Sequence, residues 1–256
     1  MLHYALVYNA SVDGEVAWVK VVFVHGALVF DGAWWWHRMS EPLAGRGLGT
    51  RALEIPSCVA PPVAPAESMG DMHADADAVR AALDEEDEQV MLVGHSYGGM
   101  VITDAAAGHE NVEHLVYVTS VMPELGETLA GFGAGREPGP WMDPNPEEGM
   151  MGLKAELVPG AFMQDCDEEA VAGALRRLTR QPLAAFGQSP RAVAWQEKPS
   201  TYVVCAEDRA TPAQAQREFA RRADRLVELA TGHHPMLSHP EQLARVLAEA
   251  AGPDGR

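Results

Sequence analysis

Residues 90–99 read Val90-Met-Leu-Val-Gly94-His95-Ser96-Tyr97-Gly98-Gly99, and Met100-Val-Ile-Thr-Asp104-Ala-Ala-Ala follows. The apolar run with its two valines predicts a buried strand, and the segment from Met100 continues as a helix. Ser96 then stands on the turn between them. A strand-to-helix turn sharp enough to push a hydroxyl clear of a sheet needs neighbours without bulk, and glycine occupies 94 and 98. The G-x-S-x-G stretch thus demands a buried strand that feeds directly into a helix, and the rest of the chain has to supply the sheet.

The flanking sequence does so. Strands are predicted over 18–24, 50–55, 112–118, 201–205 and 225–229, and a further edge strand is drawn over 2–8. Helical spacing runs from Met69 through Met72, Ala76, Val79 and Leu83, and helices are expected over 212–223 and 240–251. Strands that alternate with helices imply a mostly parallel, doubly wound α/β sheet connected right-handedly. From 122 to 195 the pattern changes: prolines and glycines are frequent through 149, Met122, Met142, Met150, Met151 and Met163 occur, and only 167–180 reads as helix. The chain therefore divides into a core, 1–121 with 196–256, and an inserted cap or lid, 122–195, over the C-terminal edge of the sheet. At 256 residues there is room for one such domain and not for two.

Charge narrows the partners. The formal net charge of −18 argues against nucleic acid and anionic membrane, because phosphate is bound by cationic side chains. Cys58, Cys166 and Cys205 have neither the even count of a disulfide framework nor metal-type spacing. The N-terminus lacks the basic and long apolar regions of a secretion signal, and no run approaches the ~20 apolar residues of a membrane span. The expectation is a soluble, cytoplasmic protein.

A serine hydroxyl is a poor nucleophile at neutral pH and needs a base, and the base needs an orienting acid. In a doubly wound sheet both come from loops at the C-terminal ends of strands. Two loops qualify: Ala206-Glu207-Asp208-Arg209-Ala210-Thr211-Pro212 and Ala230-Thr-Gly-His233-His234-Pro235. Glu207 or Asp208 is the acid and His233 or His234 the base, in the chain order usual for this type of turn. Stabilising an oxyanion needs backbone donors. The Tyr97 N–H is one, and His25-Gly26-Ala27, after the first strong strand, offers the second through Ala27. Other conspicuous residues have plainer readings. Of Trp34, Trp35 and Trp36, at least one is core, with an aromatic substrate wall as the lesser reading; the methionines of the insertion are filler; 84–88 is a solvated helix end; and Cys58 has no activating partner.

With these residues assembled, the sequence resembles the α/β-hydrolases, and more narrowly the group of plant methyl esterases, hydroxynitrile lyases and small bacterial esterases. Three segments carry the resemblance: 21–27 with Gly32-Ala-Trp34, 93–99, and 205–212 with 232–238 and Pro240. It implies an α/β-hydrolase fold, Ser96 as nucleophile, Asp208 and His233 as its partners, and the Ala27 and Tyr97 amides as the oxyanion hole. The lyases of this group carry threonine at the position of Gly26 and lysine just after the catalytic histidine, where this chain has His234. Ester hydrolysis is therefore expected, on a small to medium carboxylic ester, aromatic ones included, contacted by Gly26, His234 and Trp141. A protonated His234 that imitates the lysine would give the alternative, a lyase or cyclase working by proton transfer; a ligand-sensing protein with a residual triad is the other. No metal or organic cofactor is expected, and a homodimer is compatible with the sequence.

Overall fold

The strands pair into one parallel sheet because their residues are apolar on both faces, as strands covered by helices on both sides must be. The computed structural model describes residues 19–135 and 137–252, so the edge strand expected over 2–8 lies outside the described residues. In chain order the strands are β1 (Val19–Val24), β2 (Gly49–Leu53), β3 (Gln89–His95), β4 (Val112–Val118), β5 (Met142–Asn145), β6 (Met150–Leu153), β7 (Gln181–Pro182), β8 (Ser200–Cys205) and β9 (Arg225–Leu229). The main sheet has the order β2-β1-β3-β4-β8-β9. All its pairs are parallel, with Val24 beside Gly94 and His95 beside Val118.

The period of two along each strand sorts side chains into two cores. Val22, Val24, Val90 and Leu92 face the helices Met72–Asp84 and Gly98–Ala105. Val21, Phe23, Met91 and Val93 face the helices Ser40–Ala44 and Pro240–Ala251. The chain leaves β1 toward one face and leaves β3 toward the other. At such a switch point the outgoing loops diverge and leave a crevice at the strand ends, here between Gly26 and Ser96.

The helix expected from Met69 starts at Met72, because Asp71 takes the cap position and accepts the Ala74 N–H at 3.0 Å. Met72, Ala76, Val79 and Leu83 are buried as their spacing predicts, and Asp75 is buried with them. The acidic run after this helix is less uniform than a solvated end: Glu86 pairs with Lys20 at 2.5 Å and Arg51 at 2.8 Å.

Residues 122–195 add nothing to the main sheet. They form a second, antiparallel sheet, β5-β6-β7, and the helix Glu168–Leu175. The helix is shorter than the expected 167–180, because Leu178 makes an antiparallel bridge to Val29 instead. The small sheet escaped the sequence pattern, since β5 and β6 have four residues each and β5 contains Pro144. Among the described residues no helix is long and apolar enough to cross a membrane.

Candidate active site

Ser96 occupies the left-handed region at φ +53°, strained for a residue with a side chain and tolerated because its surroundings fix it. Its N–H donates to the Val118 carbonyl at 3.2 Å and its carbonyl accepts the Gly99 N–H at 3.2 Å. The glycines around it are required by contact. A Cβ on Gly94 would lie 2.8 Å from the Gly98 backbone, and one on Gly98 would lie 2.7 Å from the Val24 carbonyl oxygen.

Asp208 stands on the loop after β8 and is buried, whereas Glu207 is exposed. Asp208 Oδ1 accepts the Ala210 and Thr211 N–H groups at 2.8 and 2.9 Å. Its Oδ2 accepts the Thr119 hydroxyl at 2.5 Å, the Gln216 amide at 3.2 Å and His233 Nδ1–H at 2.7 Å. Burial alone would raise this carboxyl; the His233 charge and these bonds outweigh it and hold the group below the usual aspartate range. The result is an ionised acceptor that takes His233 Nδ1–H and leaves Nε2 without a bond to another described residue.

His234 points its Nδ1–H at the Phe162 carbonyl, 3.1 Å away. Burial, helped by the neighbouring His233, pushes it down to about 3. It is a neutral imidazole. His95, between Gly94 and Ser96, donates from Nε2 to the His233 carbonyl at 2.8 Å and so ties the histidine loop to the serine turn.

Ser96, His233 and His234 share one cavity with His25, Gly26 and Ala27, about 610 Å³ counting its open mouth. Leu28, Trp35, Trp36 and Met236 form part of its apolar wall, and Leu153, Val158, Phe162 and Leu178 of the insertion line it too. Gly26 belongs at this point: a Cβ there would lie 3.1 Å from His95 Nδ1 and 3.2 Å from Ser96 Cβ. Neither the Ala27 nor the Tyr97 N–H is bonded to another described residue. The Tyr97 side chain is buried behind the turn.

Trp141, expected as a substrate contact, is outside this wall. It packs edge-on against Phe162, with ring centroids 5.5 Å apart, and supports the ring that does line the cavity. The tryptophan run divides between the short helix Gly32–Trp35 and its cap residue, Trp36. Trp34 is half-buried under the Arg177 guanidinium, while Trp35 and Trp36 are both buried and both wall the cavity. The place of Trp35 and Trp36 there matches the lesser of the two sequence readings, whereas that of Phe162 and Leu178 left no mark in the sequence, because an apolar lining residue looks like any core residue. Thr119 and Gln216 escaped for a related reason: each acts on Asp208 only through the folded loop. Cys58 is buried and its thiol is pushed up to about 12. Among the described residues no group of histidine, cysteine and acidic side chains could hold a metal ion.

A strained serine on a strand-to-helix turn thus shares a cavity with a histidine held by a buried aspartate, and known proteins resemble this chain over most of its length. The alpha/beta hydrolase nvfD of Aspergillus novofumigatus is 31% identical over 194 residues, covering 70% of this chain and 77% of its own. Polyneuridine aldehyde esterase of Rauvolfia serpentina is 26% identical over 258 residues, covering 89% and 94%. The crystal structure of a pyrethroid hydrolase from Sphingobium faniae superposes with a TM-score of 0.80 at 27% identity, covering 93% of this chain and all of that one. The alpha/beta hydrolase family profile matches residues 21–246, so the chain belongs to that family.

Proposed function

We propose that the protein is a serine carboxylesterase with the 122–195 insertion as its cap. The observation that carries this reading is the 2.7 Å bond from His233 Nδ1–H to Asp208, on a histidine that shares a cavity wall with Ser96. His233 takes the Ser96 proton at Nε2 as the hydroxyl oxygen attacks the ester carbonyl. The Ala27 and Tyr97 amides receive the oxyanion, and the imidazolium returns its proton to the departing alcohol. Water then attacks acyl-Ser96 by the same route and frees the acid.

The relatives support hydrolysis of esters by name: a pyrethroid hydrolase, a methylesterase and an aldehyde esterase are among them. The apolar, two-tryptophan wall suits a small to medium ester with a hydrophobic or aromatic portion. The lyase alternative needs a cation after the catalytic histidine, and neutral His234 speaks against it.

Hydrolysis of a short p-nitrophenyl ester series by the wild type and Ser96→Ala tests the proposal. The substitution is expected to lower kcat by roughly a thousandfold or more, and an acyl group is expected on Ser96 by mass spectrometry of the quenched wild type. Turnover indifferent to Ser96 would overturn the reading.

A further inference from the structure

Helix Met72–Asp84 turns a carboxylate into the core along with its apolar side chains. Asp75 is fully buried, and no ion pair reaches it among the described residues. A leucine would pack this position more cheaply, since a buried charge must be satisfied bond by bond. Every bond is made. Oδ1 accepts the Ser57 N–H at 2.8 Å; Oδ2 accepts the Ser57 hydroxyl at 2.5 Å and the Tyr97 hydroxyl at 2.6 Å. Ser57 Oγ accepts Gln181 Nε2–H at 2.8 Å, and Gln181 Oε1 accepts the Leu28 N–H at 3.0 Å. Ser57, Asp75 and Gln181 are 0% exposed and Tyr97 1%.

The two ends of this chain of bonds matter. Tyr97 carries one of the oxyanion amides, and Leu28 directly follows Ala27, which carries the other. Leu28 is itself at φ +65°, a conformation that a leucine leaves unless it is held. It is held on both sides: Gln181 takes its N–H, and its carbonyl accepts the Thr179 N–H at 2.9 Å. Phe30 N–H donates to the Arg177 carbonyl at 3.1 Å, and Val29 bridges Leu178. The insertion therefore runs as a short antiparallel strand along the loop that presents Ala27, and its Gln181 passes the connection through Ser57 and Asp75 to the serine turn.

We propose that Gln181, Ser57 and Asp75 are positioning residues that set the distance between the Ala27 and Tyr97 amides, making the insertion a structural part of the oxyanion hole. The inference rests on the esterase reading above. Its physical basis is geometric: two donors on separate elements stabilise an oxyanion only if both lie about 2.7–3.1 Å from it, and past the end of the β1–β3 ladder, where Val24 lies beside Gly94, this side-chain network joins the two segments. A fully satisfied buried network is stiff enough to impose that distance.

The test uses Tyr97→Phe and Gln181→Met, which keep volume and remove bonds at opposite ends of the chain, together with the double variant. Each is assayed for kcat and KM on a p-nitrophenyl ester, for inhibition by a trifluoromethyl ketone and for thermal unfolding. Ser96 adds to that ketone reversibly, its proton passes to His233, and the adduct oxygen occupies the oxyanion hole. Each single variant is expected to lower kcat roughly 10- to 100-fold with KM within about threefold, and to raise the ketone Ki by the factor lost in kcat/KM. The double variant is expected to lose less than the product of the two, because both cut one chain. Unchanged kcat in both variants, or lost activity with an unchanged ketone Ki, would overturn the proposal and leave a network of packing only. If the wild type shows no Ser96-dependent turnover and no ketone inhibition, the esterase reading itself is wrong and this inference falls with it.

Discussion

Two buried carboxylates stand near Ser96, and their surroundings move them in opposite directions. At Asp208 burial is outweighed by His233 and by the donors around it, so the pKa is lowered. Such a group adds stability above its unfolded pKa and loses it as pH falls through the folded value. At Asp75 burial outweighs the bonds from Ser57 and Tyr97, and the carboxyl rises from 3.8 to about 6. The sign reverses: its contribution is complete below 3.8 and is lost as pH rises through about 6. The difference in unfolding free energy between wild type and Asp75→Asn is accordingly expected to shift toward the wild type by on the order of 1 kcal/mol from pH 8 to pH 5, measured by urea denaturation at both values. A difference independent of pH would mean that Asp75 titrates normally. For Asp208→Asn the expected effect is kinetic. The asparagine cannot hold the same His233 tautomer, and single-turnover acylation should slow by roughly 10³–10⁴-fold.

Between elements, the site depends on how closely the end of β3 approaches the helix that follows it. Gly94 meets the Gly98 backbone with no room for a methyl group, and backbone on both sides cannot move aside as a flexible side chain would. Gly94→Ala is expected to lower stability by about 1–3 kcal/mol, read from the urea midpoint at constant m-value, and an unchanged midpoint would show that the turn is looser than these contacts imply. The insertion acts at this scale too. Gln164 donates to the Glu207 carbonyl at 2.8 Å, Asp165 accepts the Gly232 N–H at 2.7 Å and Phe162 accepts from His234. The loops of Asp208 and His233 are therefore stitched to the segment that walls the cavity.

Over the whole molecule the net charge of −18 works against compactness. Many basic groups are already paired, such as Arg191 with Asp77 and Asp104 and Arg222 with Glu127, which leaves an acidic excess to repel itself. Screening should relieve this, so the thermal midpoint is expected to rise by several degrees between ~10 and ~200 mM NaCl; a fall would show that the attractive pairs dominate. The parallel sheet, the turn at Ser96 and the two loops that could serve it are legible in the sequence, because period, glycine placement and strand ends are local properties written in consecutive residues. It offered Glu207 beside Asp208 and His234 beside His233, and spacing alone could not separate neighbours. What surrounds them follows from packing: Asp208 is buried against His233, His234 is neutral against Phe162, Trp141 stands behind the cavity wall, and Gln181 reaches Leu28. Each of those facts is a contact between residues far apart in the chain, and burial, which sets both charge state and hydrogen-bond partner, exists only once those distant segments have packed.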